Sequence, residues 1–244
     1  MFKIGSCRIG SDPYLHNHVH NTKQILITLK YLLNNENIEL YNNIHEHPLS
    51  YNVIKVVRNR LINSNKVIIE ISSLKRWIDL NGRDIHWASY NKKDSKSRNI
   101  KLIDEETFLN DLNEIITLLK NKKIILVSHI NIDIYNYKEE IKCNGLIRWV
   151  SNNFKDNNEG KLSSDIIDIK KIAGKKIKSR DLIEKYIDKT IINKNIIHFK
   201  PYDYIKNTCG KNIELFFKKS NNSIDTNHYS SFGKTKIINH LDNL

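Results

Sequence analysis

Apolar positions along the chain switch between two periods. The run 66–71 (KVIIEI) is β-branched and nearly continuous, the pattern of a strand covered on both faces, and 123–127 (KIILV) and 195–199 (NIIHF) repeat it. A shorter run, Phe2-Lys3-Ile4, stops at Gly5 and predicts a first strand that starts almost at residue 1. Between these runs the spacing becomes i, i+3, i+4, i+7. It predicts helices over 22–33 (TKQILITLKYLL, with Thr22 as N-cap), 50–61 (after Pro48), 105–119 (acidic at its start, as the helix dipole favours), 179–187 (with Ser179 as N-cap) and 231–241. A minor strand over 38–41 brings the strands to five. The segment 77–98, with Trp77 and Trp87, fits no element and reads as a loop packed over a site or a partner.

Strands alternating with amphipathic helices predict a doubly wound, mostly parallel five-stranded α/β sheet, a flavodoxin-like three-layer sandwich with right-handed crossovers. Such sheets bind ligands at the carboxyl ends of their strands. The residues following Ile4, Ile71, Val127 and Phe199 are therefore the ones to inspect.

Composition sharpens this picture only at its edges. With 244 residues, 39% hydrophobic and 27% charged, and only eight Gly and three Pro, one globular domain over 1–244 is expected. The formal charge of +13 favours anionic partners, but Lys is spread along the whole sequence, the pattern of a generally solvated basic surface. The densest basic stretch, 170–180 (KKIAGKKIKSR), lacks the interleaved aromatics that nucleic-acid binding uses. No stretch approaches the ~18 apolar residues of a membrane span, and the opening MFKIGSCRIG lacks the apolar core of a secretory signal, so a cytoplasmic protein is expected. Cys7, Cys143 and Cys209 are widely spaced with no C-x-x-C pair, and free thiols are expected.

Two short blocks carry chemistry. Ser6 stands in I-G-S-C directly after the first strand, where a turn presents its hydroxyl at the carboxyl end of the sheet and Gly5 permits the backbone that the turn needs. Asp225 and His228 stand three apart in S-I-D-T-N-H-Y-S-S-F-G, just before the closing helix. That spacing is about one turn, so the carboxylate can bond one imidazole nitrogen while the other faces a nucleophile.

Together, Gly5-Ser6-Cys7 and Asp225-x-x-His228 followed by Tyr229-Ser230 resemble the SGNH (GDSL-like) hydrolase superfamily, whose Ser follows the first strand and whose D-x-x-H block precedes the last helix. The opening G-S-C is most similar to the GSCFA branch and related polysaccharide-biosynthesis proteins. The resemblance implies Ser6 as nucleophile, His228 as general base and Asp225 as its partner. It also implies an ester of a small molecule or glycan as substrate, with no metal and no cofactor. Such families build the oxyanion hole from the Ser N–H, a Gly and an Asn. Here the strand ends in Glu70-Ile71-Ser72-Ser73, so Ser72 or Ser73 is left to substitute through a backbone N–H or hydroxyl. Arg8 replaces the apolar residue expected after G-S-C and is available to a substrate anion.

Other residues keep plainer readings beside the chemical ones. His16, His18 and His20 alternate, so two could ligate a metal from one face of an extended segment; without a nearby Cys or paired carboxylate they read as a polar loop at the mouth of the site, one imidazole touching substrate. His129, after the 123–127 strand, is either a substrate contact or a hydrogen-bonded structural histidine. Cys7 competes with Ser6 as nucleophile, and the resemblance favours serine. Alongside the serine esterase or O-acyltransferase stand two rivals: a non-catalytic module that keeps the sheet, and a basic nucleic-acid-binding protein.

Overall fold

A computed structural model of the chain describes residues 1–6, 8–15, 18–45, 49–86, 99–128, 182–191, 195–209, 217–220 and 223–244, of which 99, 206, 209, 217–220 and 223–228 are described by backbone alone. Contacts divide the chain into two compact units, Met1–His129 with Ile183–Phe199, and Ile130–Leu182 with Lys200–Leu244.

The first unit holds β1 (Phe2–Ile4), α1 (Thr22–Asn34), α2 (Ile38–Ile44), α3 (Tyr51–Asn63), β2 (Lys66–Glu70), β3 (Lys75–Ile78), β4 (Asn99–Leu102), α4 (Glu105–Leu118), β5 (Lys123–Val127), most of a helix α5 covering 182–190, and β6 (Ile196–Phe199). Its centre is a four-stranded sheet in the order β1-β2-β5-β6, every neighbour parallel. In β2, Val67, Ile68, Ile69 and Glu70 are all buried. Successive side chains of a strand point to opposite faces, so both faces of this strand are covered, as a layered α/β sandwich requires.

α1 is buried nearly all round, and its polar side chains are satisfied accordingly. Asn21 caps it, accepting a bond from Gln24 N at 2.9 Å, so the cap is one residue ahead of the expected Thr22. Thr22 instead donates its hydroxyl to Asp111 of α4 at 3.1 Å, beside Lys23, which ties the two helices together. Asp104 caps α4 by accepting from Thr107 N at 2.8 Å.

The sheet has four described strands where five were expected, because 38–41 is the first turn of α2. Asn35 and Asn37 both take the left-handed conformation, with φ of 59° and 58°, which breaks the chain after α1 and restarts it as a helix. Tyr41 and Ile44, three apart, are the positions α2 buries; Tyr41 packs at 4.3 Å between ring centroids against both Tyr31 and His45. β1 is consequently an edge of the described sheet. Trp77, expected in a loop, lies in β3, which pairs with β4 as an antiparallel ribbon in the register Trp77↔Ile100.

The second unit contributes α6 (Pro201–Cys209), β7 (Phe217–Ser220), β8 (Ser223–Tyr229) and α7 (Ser231–Asn243). Pro201 opens α6 where its missing N–H costs nothing. Ser230 caps α7 by accepting from Gly233 N at 3.0 Å, and Tyr204 stacks on His240 at 4.5 Å. Among the described residues no helix is long and apolar enough to cross a membrane.

Candidate functional site

Parallel pairing brings the carboxyl ends of the strands level. Ile4 is opposite Ile69, and Glu70 is opposite Val127, which is opposite Phe199. Ser6 therefore leaves β1 beside the end of β2. Gly5 makes the approach possible: a Cβ there would stand 2.7 Å from Glu70 Cβ and 3.2 Å from Glu70 N. Gly5 does not share the positive φ of Gly10 and Gly82, so close packing on Glu70 requires glycine here, not the turn conformation that the sequence suggested.

Ser6 is 1% exposed, and its hydroxyl donates to Glu70 Oε2 at 2.5 Å. The same oxygen accepts the Ser6 backbone N–H at 3.0 Å. Arg8 Nε lies 3.0 Å from Glu70 Oε1 and 3.4 Å from Ser6 Oγ, and the Arg8 backbone N–H donates to Ser6 Oγ at 3.3 Å. Glu70 and Arg8 are both buried, so hydroxyl, carboxylate and guanidinium form one desolvated cluster at the sheet edge. The segment after it is pinned as well. Asp12 N donates to Lys3 O at 2.8 Å, and its carboxylate receives Arg60 Nε at 2.8 Å.

A second segment closes over the same edge. Val19 N donates to Gly5 O at 3.1 Å, and the His20 carbonyl accepts from both Ser72 N and Ser73 N at 2.9 Å. Gln24 of α1 holds the His20 N–H at 3.0 Å. The His20 ring is half-buried, with Nδ1 3.0 Å from Ser72 Oγ and its face edge-on to Trp77 at 6.1 Å between centroids. Burial, and after it the charges of Arg8, His18 and His86, lower its pKa to about 3, so the imidazole is neutral at physiological pH. His45, buried in the core, is lowered to about 3 by burial and by His86, and its Nε2 meets Thr28 Oγ1 at 3.1 Å.

Of the residues the sequence singled out, Ser6, Arg8, Ser72 and Ser73 lie at this one edge. Arg8 is turned to Glu70. Ser72 and Ser73 do not offer their backbone N–H groups to an oxyanion, because both hold the His20 carbonyl; the Ser72 hydroxyl faces His20, and Ser73 Oγ accepts from Lys75 N at 2.9 Å. Asp225 and His228 belong to the second unit and lie within β8, so the one-turn spacing read from the sequence does not hold. Lys218 is opposite Asp225 and Phe217 opposite Tyr229, a register shift that leaves 226–228 without partners in β7. Cys7, His16 and His129 lie outside the described residues, as do Ser179 and the 170–180 stretch.

The sequence reading missed Glu70 and undervalued His20. A single carboxylate closing an apolar run was the available signal for Glu70. At the next strand, Ser128 is buried and donates to Glu184 Oε1 of α5 at 3.1 Å, repeating the serine-carboxylate theme at the end of β5. No group of three or more His, Cys, Asp or Glu among the described residues is arranged to hold a metal ion. No family model, no curated protein and no solved structure matches this chain.

Proposed function

We propose that the chain is a serine-dependent esterase or O-acyltransferase, acting in the cytoplasm on an acetyl-type ester of a carbohydrate or similar small molecule, with an SGNH-type scaffold around its parallel sheet. The observation that carries the reading is the Ser6 hydroxyl at the carboxyl edge of that sheet, fixed 2.5 Å from a buried carboxylate. A buried ion pair is seldom the most stable filling for such a volume. Here it holds one hydroxyl in one rotamer, the pre-organisation that a nucleophile needs.

In this reading Ser6 Oγ attacks the ester carbonyl, forming an Oγ–C bond as its proton passes to a base. The C–O bond to the alcohol then breaks, the alcohol leaves with that proton, and an acyl-enzyme remains. Water or a sugar hydroxyl takes the acyl group in the reverse sequence. The resemblance supplies His228 as the base and Asp225 as its orienter; Glu70 Oε2 accepts the Ser6 O–H hydrogen bond before reaction, and the O–H turns from it to His228 as the attack begins.

A fluorophosphonate probe with peptide mapping tests the proposal. The expected result is an adduct on Ser6, lost in Ser6→Ala and in His228→Ala, with turnover of an aryl acetate lost in parallel. An unmodified protein would instead favour the non-catalytic module. That second reading draws on a specific observation: the Ser6 hydroxyl is 1% exposed and already both donates to Glu70 and accepts from Arg8.

A further inference from the structure

An ester-cleaving serine needs a donor for the oxyanion, and the two backbone N–H groups that the sequence offered for it are committed to the His20 carbonyl. What that commitment achieves is the placement of an imidazole. The His20 backbone is held on three sides: its carbonyl by Ser72 N and Ser73 N, its N–H by Gln24 Oε1, and the preceding Val19 N–H by the carbonyl of Gly5, the residue before Ser6. Trp77 limits the ring from one side. The ring is therefore fixed at the sheet edge that carries Ser6, within the electrostatic reach of Arg8, whose guanidinium touches both Ser6 Oγ and Glu70.

The contacts of Ser72 bear on the tautomer of the ring. The Ser72 hydroxyl has one proton and two acceptors within range, His20 Nδ1 at 3.0 Å and His20 O at 3.3 Å. A carbonyl oxygen has two lone pairs, and both are engaged by N–H groups at 2.9 Å. A proton on Nδ1, the nearer acceptor, places the ring hydrogen on Nε2, whereas a proton on His20 O would place it on Nδ1. Nε2 has no hydrogen-bond partner among the described residues, and it is not among the unpartnered atoms sealed in the interior.

We infer that His20 is a catalytic residue of the Ser6 site: its Nε2–H, set by Ser72 as positioning residue, donates to the ester carbonyl oxygen and to the oxyanion that forms when Ser6 attacks. The inference rests on the esterase or acyltransferase reading. A ring with a pKa of about 3 is a poor base at neutral pH but a persistent neutral donor, so the role is electrophilic, and no proton leaves the imidazole in the step. The donor missing from the strand end is thus provided by a side chain that the strand end holds.

The test is steady-state hydrolysis of an aryl acetate by the full chain and its His20→Ala and His20→Gln variants, with fluorophosphonate mapping in parallel. Gln is chosen because its amide nitrogen reproduces the Nε2 donor. His20→Ala is expected to lower kcat by about 10²–10³-fold with KM little changed, and His20→Gln to recover at least about tenfold of that loss. A kcat in His20→Ala within about threefold of the wild type, or a Gln variant as slow as Ala, overturns the inference while Ser6 labelling still upholds the underlying reading. A wild type that neither labels at Ser6 nor turns over ester overturns both. Independently of activity and of variant folding, imidazole nitrogen NMR on the wild-type chain is expected to show His20 as the neutral Nε2–H tautomer, unchanged from pH 8 to 5. An Nδ1–H tautomer, or protonation within that range, overturns the assignment.

Discussion

The Arg8–Glu70 pair offers the sharpest quantitative handle on the cluster around Ser6. In Glu70→Gln one carboxylate oxygen becomes an NH2 donor. Oε2 now accepts two bonds from Ser6, and Oε1 faces Arg8, so whichever oxygen is replaced turns a donor towards a donor. The substitution also removes the charge that Glu70 places beside a guanidinium that is 5% exposed. Losing one member of a buried pair costs about 3–5 kcal/mol, and Glu70→Gln is expected within that range. Arg8→Met should cost less, about 2–3 kcal/mol, because the two Ser6 donors still satisfy part of the carboxylate. In the double variant both charges are gone, so its loss should fall short of the sum of the single losses by about 2 kcal/mol. Urea unfolding at constant pH, followed by circular dichroism and tryptophan fluorescence, gives all three values. Single losses that add within about 0.5 kcal/mol, or a Glu70→Gln variant as stable as the wild type, would refute the account of these groups as one desolvated unit.

Three shorter predictions address neighbouring features. Ser6→Ala removes a buried hydroxyl bond to a carboxylate and should cost about 1.5–3 kcal/mol. That corresponds to a fall in Tm of roughly 3–12 °C; an unaltered Tm would show that the bond contributes nothing to stability. Gly5→Ala puts a methyl group 2.7 Å from Glu70 Cβ, so β1 and β2 must part; a loss of about 1–3 kcal/mol is expected by urea denaturation, and an equally stable variant would contradict the close approach. For His45 the folded pKa of about 3 lies below the unfolded 6.5, so the unfolded chain binds the extra proton and stability rises with pH. Its contribution is complete above about pH 6.5 and declines as pH falls towards 3, by roughly 2 kcal/mol at pH 5. His45→Gln should reduce the stability difference between pH 7.5 and 5 by roughly 2 kcal/mol, the share of His20 remaining, and an undiminished difference would assign it to other groups.

What was legible in the sequence is what burial writes locally. The β-branched runs became β2, β5 and β6, and the 3.6-residue spacing became α1, α3, α4 and α7, because each needs only its own side chains to declare which faces are covered. The 38–41 segment failed this test. Four residues, I-E-L-Y, suit a strand and a single helical turn equally, and the choice was made by two left-handed asparagines and by the docking of Tyr41 between Tyr31 and His45. Trp77 was misplaced for the related reason that β3 finds its partner β4 more than twenty residues later, beyond any local period.

The site divides along the same line. A glycine-serine pair after a short apolar run identifies a turn at the sheet edge, and Ser6 is found there. Glu70 gives no such notice, since a carboxylate at the end of a strand ordinarily marks the return to solvent. It is buried because residues 62 and 64 positions away in the sequence, Arg8 and Ser6, supply a guanidinium, a hydroxyl and a backbone N–H to its two oxygens. They can do so only because Gly5 has no side chain to hold β1 away. His20 depends on the same arrangement one residue further out, through Val19 on Gly5 O and through Ser72 and Ser73 on its own carbonyl. None of these residues is informative alone. Each polar group is tolerable in the interior only while the others are present, which is why the chemistry at this edge is expected to fail as a unit rather than residue by residue.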